Sequence, residues 1–193
     1  MVAAAKQIFE EDGFLPARIS DIAERAGVSH GTFYTYFESK DEVFREVALE
    51  VEDELSSPLS EVIFAQGSVA TPHDRIREAM RRYLEIYRRE ARLMGVIEQV
   101  DRHDGQLRAA RTERRGHYGR AVTDSIRQLQ DRGQVDPRLD PEIASVILGS
   151  MMQRFPEMWL TEGRIECDFD QGVEHLATIF LNALRIPAPA TDR

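Results

Sequence analysis

Cysteine is nearly absent from this sequence. Cys167 is the only one in 193 residues. That excludes a disulfide framework and a cysteine-rich metal centre, and it suits a reducing compartment. Long apolar runs are absent too, so no segment has the ~20 residues needed to span a bilayer. The N-terminus lacks the basic-then-apolar layout of a secretory signal. Together these absences predict a cytoplasmic protein with no membrane partner. There is no excess of positive charge: the formal net charge is −9, so bulk electrostatics do not mark a nucleic-acid binder. Nor is there a glycine-rich phosphate loop, a nucleophile elbow or a pair of metal ligands at helical spacing. The five histidines are scattered. No cofactor and no metal are expected, and a small all-helical enzyme is kept only as an alternative.

What is present is helix. Val2, Ala5, Ile8 and Phe9 share one face of a first helix, over about Val2–Asp12, which Gly13 stops. Ile19, Ile22, Ala23 and Ala26 give a second, with Gly27 as its left-handed terminator. Ser39 and Glu42 form a capping box for a fourth, whose stripe is Val43, Phe44, Val47, Val51 and Leu55. Around Pro58, Gly67 and Pro72 the pattern loosens, and the fourth helix is expected to end there. Thr71-Pro72 opens the next helix, as cap and first residue. A separate short helix is expected around Leu93–Val100. Longer ones follow over about Gln106–Asp131, Asp140–Leu160 and Gln171–Leu184. The tail from Pro187 is expected to be disordered.

The third helix lies in "AGVSHGTFYTYFESK", Ala26 to Lys40. At 100° per residue, Phe33 and Phe37 share one face, which must pack. Gly31 and Thr35 fall almost opposite. The hydroxyls of Thr32, Tyr34 and Tyr36 stand on the two shoulders. A helix held by two rings, with a small ridge outward and hydroxyls beside it, suits the DNA major groove. Small side chains let the backbone approach base edges, and shoulder hydroxyls reach phosphates. Lys40 adds a charge at the next helix start. The glycine turn between two short helices makes a helix-turn-helix.

The segment "IFEEDGF…ISDIAERAGVSHGTFYTYFESKDEVF" resembles the DNA-binding domain of the TetR family of bacterial transcriptional regulators. Its Ile-Ala-x-x-Ala-Gly-Val-Ser, Gly-Thr-x-Tyr-x-Tyr-Phe and Ser-Lys elements come in order, within about Val2–Val47. The resemblance implies an all-α fold: a helix-turn-helix head over residues 1–46, a ligand-binding and dimerisation domain over 47–186, and a tail over 187–193. It implies a homodimer that binds double-stranded operator DNA and answers to a small-molecule effector, usually as a repressor. Carried over by position, Ser29, Thr32, Tyr34, Tyr36 and Lys40 meet phosphates, and His30, Gly31 and Thr35 face bases. For His30, a solvent-facing place stays open.

Two departures stand out. Family members usually have hydroxyl residues just before the second helix, where this chain has Ala17 and Arg18. The cap is lost or moved to Ser20, and Arg18 becomes a candidate phosphate contact. A basic segment before the first helix, usual in the family, is not seen ahead of Val2. Over residues 1–46, five basic side chains face nine acidic ones. Binding must therefore lean on hydroxyls and backbone N–H groups. The acidic head keeps open an alternative: a protein-interaction module that has lost operator binding.

In the second half, Met80, Tyr83, Tyr87, Met94, Ile97, Tyr118, Met151, Met152, Phe155 and Trp159 are candidates for lining a cavity for a largely apolar effector. Plain core is the competing reading for each. Arg111–Arg120 reads as a solvated basic face, with a phosphorylated ligand as the alternative. Apolar residues on more than one face of the last two long helices predict that these form the dimer contact.

Overall fold

The computed structural model describes residues 1–63 and 70–186, with side chains through 59 and from 70 onward. The described chain is helical: α1 Val2–Asp12, α2 Ile19–Arg25, α3 His30–Tyr36, α4 Lys40–Ile63, α5 Pro72–Asp101, α6 Gly105–Asp131, α7 Pro141–Pro156 and α8 Phe169–Leu184, with one π-helical stretch, Glu157–Thr161, after α7. No helix among the described residues is long and apolar enough to cross a membrane. The tail from Pro187 lies outside the described residues.

Helix α4 runs on through Pro58 to Ile63, inside the stretch where its end is expected. Proline removes one N–H from the ladder and disfavours this, but it does not forbid it when the flanking turns hold. Helix α5 is one element of 30 residues, not two. Between Tyr87 and Leu93 stand only Arg, Glu and Ala, all good helix formers, and nothing there stops a helix.

The chain forms two compact units. The first joins residues 1–53 to 90–114, and the second joins 54–89 to 115–193. Helices α4, α5 and α6 each pass from one unit into the other. The expected head at 1–46 thus folds together with the corner between α5 and α6.

In the first unit, Phe9, Phe14 and Phe44 form a ring cluster with centroids 4.8–5.9 Å apart. Ile8, Ile22, Phe33, Val43 and Val47 are buried with them. Gly27 takes φ 68°, and Val28 N–H closes back on the Ala23 carbonyl, which turns the chain sharply from α2 toward α3. The head is tied to the corner by polar contacts. Lys6 pairs with the buried Glu90 at 2.9 Å, and Arg92 donates to the Glu11 carbonyl at 2.6 Å. Asp104 caps α6 by accepting from the N–H groups of Gln106 and Leu107, and it pairs with Arg45 at 3.1 Å. Burial pushes the Asp104 carboxyl up, but these donors outweigh it and hold it below its ordinary value.

In the second unit, Tyr83 donates to the Met152 carbonyl at 2.9 Å. Ser145 of α7 donates to the Gly119 carbonyl of α6 at 3.0 Å. Asp136 receives the forked guanidinium of Arg138 at 2.8–3.0 Å and Arg185 at 3.1 Å. This ties the turn before α7 to the end of α8.

Candidate DNA-reading head and effector half

Helix α3 is short because its ends are defined within ten residues. The Ser29 hydroxyl accepts the Thr32 N–H at 3.0 Å and so caps the start. At the other end Phe37 turns to extended backbone. Phe33 is fully buried, with Phe37 against it at 5.7 Å between centroids. His30, Gly31, Tyr34, Thr35 and Tyr36 are exposed, and Thr32 is half-buried. The tyrosines leave 51% and 68% of their surface open, large values for aromatic residues anchored beside a packed ring. Ser29 and Thr32 share a hydroxyl hydrogen bond at 2.8 Å, so one hydroxyl proton stays available between them. The exposed ridge and its hydroxyl shoulders therefore exist as a surface.

Arg18 is exposed at the N-cap of α2 and makes no side-chain cap bond. Ser20 does not replace the missing cap, because its hydroxyl is turned to Asp21 at 3.0 Å.

Lys40 departs from the sequence reading. Its ammonium donates to the carbonyls of Phe14, Leu15 and Ala17 at 2.7, 3.1 and 2.9 Å, and it lies 4.6 Å from the centre of the Phe14 ring. An ammonium has three N–H donors, and here all three are engaged. A phosphate contact would require breaking at least one of these bonds. The place of Lys40 is that of a brace for the turn between α1 and α2.

Sequence reasoning also missed Arg111. The basic run that holds it looks solvated, yet Arg111 is 1% exposed. It donates through Nε to Glu52 of α4 at 2.7 Å, through Nη1 to Asp101 at 3.0 Å and through Nη2 to Glu98 at 2.6 Å, both of α5. Burial alone would lower its pKa, but Glu52 and Glu98 raise it further above its ordinary value. A signal was available: Glu52 interrupts the buried stripe of α4 between Val51 and Leu55, and a buried carboxylate needs a cation.

The ten effector candidates are not all in one unit. Met94 and Ile97 are buried in the first. Met80, Tyr83, Tyr87, Met152 and Trp159 are buried in the second, where Tyr118, Met151 and Phe155 are half-buried. Phe155, Trp159 and Phe169 lie in succession, with centroids 5.4 and 5.8 Å apart, and the Arg88 guanidinium caps Phe169 at 3.8 Å. The π-helical stretch carries Trp159 onto Gly172 of α8. A Cβ at position 172 would lie 2.2 Å from the indole, so this glycine is required by the ring.

Comparison with known proteins places the chain in a family. Residues 1–47 match the family of bacterial regulatory proteins described as the tetR family, and residues 69–184 match the tetracyclin repressor-like C-terminal domain. The chain is 24% identical over 165 residues to the "Probable acrEF/envCD operon repressor" of Escherichia coli K12, which covers 83% of this chain and 74% of that one. Among solved structures, the fatty acid degradation regulator FadR of Bacillus halodurans superposes with a TM-score of 0.75 at 20% identity, covering 96% and 95% of the two chains. FadR of Bacillus subtilis, solved in complex with stearoyl-CoA, superposes with 0.72 at 17%, covering 95% of each. The chain belongs to the TetR family of bacterial transcriptional regulators.

Proposed function

We propose that this regulator is a homodimeric repressor that holds a two-fold operator through α3 and leaves it when a small, largely apolar molecule binds its C-terminal helices. The observation that carries the reading is the anchoring of α3 by the buried Phe33, with Gly31 and Thr35 outward and Tyr34 and Tyr36 exposed beside them. In this reading His30, Gly31 and Thr35 face bases. Arg18, Ser29, Thr32, Tyr34 and Tyr36 meet phosphates. Lys40 acts through the turn it braces. Because the head is acidic, hydroxyls and backbone N–H groups carry more of the affinity than charge does.

The dimer is supported by aliphatic side chains that a lone chain leaves in water. Ile143, Val146 and Ile147 on α7 and Ile179 on α8 are 54–69% exposed. Burying each across a two-fold axis is worth on the order of 1 kcal/mol or more. The effector class is supported by the buried Met and aromatic side chains of the second unit and by the stearoyl-CoA bound to the Bacillus subtilis FadR. Two half-sites one turn apart require recognition helices about 34–36 Å apart. Helix α4 begins in the head and ends in the second unit, so its tilt sets that spacing. An effector that favours a wider dimer releases DNA, by no more than its differential affinity for the two states.

A gel shift with the DNA beside the protein's own gene tests the proposal. The expected result is a specific complex that an apolar effector dissolves, with a long-chain acyl-CoA as the first probe because its acyl chain supplies the apolar part. A protein that retards no duplex in preference to bulk DNA would overturn it.

A further inference from the structure

From Ser29 to Phe37 the chain contains no Arg, Lys, Asn, Gln, Asp or Glu. Those are the side chains that distinguish guanine, adenine and cytosine by charged or two-point hydrogen bonds in the major groove. Their absence leaves the base edges to Thr35, His30 and the backbone at Gly31. His30 is drawn to one shoulder, its ring edge-on to Tyr34 at 5.2 Å. The Thr35 hydroxyl turns back to the Gly31 carbonyl at 3.4 Å, which leaves its methyl as the group free to meet a partner.

Gly31 is not explained by the fold. It is exposed inside α3, its backbone is not left-handed, and a Cβ there would meet nothing nearer than the Ser29 hydroxyl at 3.8 Å, an ordinary contact. Glycine at such a place weakens a helix relative to alanine. The missing side chain has a reason only if something outside the chain comes close to that ridge.

Resting on the operator reading above, we propose that α3 identifies its half-site chiefly through thymine C5-methyl groups packed against the Thr35 methyl beside Gly31, and not through bidentate hydrogen bonds to guanine or adenine. Thymine is the base that offers a methyl in the major groove, and an apolar contact is what an uncharged ridge of this composition can supply.

The test uses the full chain and duplexes that it selects from a random pool. Each thymine of the half-site is replaced singly by deoxyuridine, which deletes the methyl and keeps the pairing. Replacement at one or two positions should weaken binding by about fourfold per methyl, the value of one buried methyl group. Thr35→Ser should remove that difference between thymine and uracil. Gly31→Ala should melt at a higher temperature and yet bind every duplex more weakly. If deoxyuridine is neutral throughout while 7-deazaguanine weakens the complex, guanine is being read and the proposal is wrong. Unchanged binding by Gly31→Ala would also overturn it. Should no duplex be enriched at all, the operator reading itself fails and takes this one with it; enrichment with neutral deoxyuridine defeats the thymine reading alone.

Discussion

Single side chains in the head divide into those that hold it and those that it presents. Lys40 holds. Lys40→Met removes three charge-assisted donors from the carbonyls of the turn after α1, two of them part-buried, and it should cost about 1–3 kcal/mol in urea unfolding. Its DNA affinity should fall with salt as steeply as that of the parent, because no phosphate contact is lost. A smaller salt slope for Lys40→Met, with unchanged stability, would return Lys40 to the phosphates. Tyr34 is presented. Tyr34→Phe should leave the melting temperature unchanged and weaken all operators alike by about 1 kcal/mol, read by fluorescence anisotropy. The contrast shows what a sequence holds at this scale. The packed or exposed side of α3 followed from angular position alone, because Phe33 fixes the helix phase. The partner of Lys40 did not, because Phe14, Leu15 and Ala17 lie 23–26 residues away and offer backbone carbonyls, which no residue type signals.

Among the elements, caps and stops were legible and continuity was not. Asp140 accepts the N–H groups of Glu142 and Ile143 with Pro141 at the first turn, as its sequence predicts. The stretch after Pro156 was not legible as a π-helix, since that form depends on Trp159 finding the notch at Gly172. Gly172→Ala should therefore destabilise by about 1–3 kcal/mol through overpacking, and adding Trp159→Leu should recover part of the loss. Thermal melts of the two variants decide this; equal losses would detach the ring from the glycine. The buried Arg111 binds α6 to α4 and α5. Arg111→Met leaves three carboxylates facing one another and should cost about 3–5 kcal/mol. Asp136 gives the pH dependence at the end of α8. The Arg138 fork and backbone N–H hold its carboxyl well below the usual carboxylate range. A depressed folded value means that the charged form stabilises the fold above the unfolded pKa of ~3.9, and that this is lost as pH falls from there toward the folded value. Asp136→Asn should thus be less stable than the parent at pH 7, with the gap closing as pH drops below about 4.

For the whole molecule, the head was legible because its residues serve a partner with fixed geometry, the DNA groove. The effector half was legible only as apolar helices, since core and pocket are written in the same side chains. Met94 and Ile97 illustrate this: chosen as pocket candidates for their chemistry, they lie buried in the unit that holds the head. The single tryptophan, Trp159, is a natural reporter for the other half. Stearoyl-CoA at micromolar concentration should quench or shift its emission if an acyl chain enters among Tyr83, Met152 and Phe155. An unchanged spectrum, with operator binding also unaffected, would remove this effector class. If α7 and α8 form the proposed dimer contact, Val146→Asp should sediment as a monomer and lose operator binding while keeping its helix content. Two α3 helices reading DNA together are the centre of the proposed function, and selection of random duplexes by this 193-residue chain, followed by sequencing, tests that directly. The selected sites should be inverted repeats whose half-site centres lie one helical turn, or a whole number of turns, apart. Enrichment of a single unrepeated half-site, or of no sequence, would contradict it.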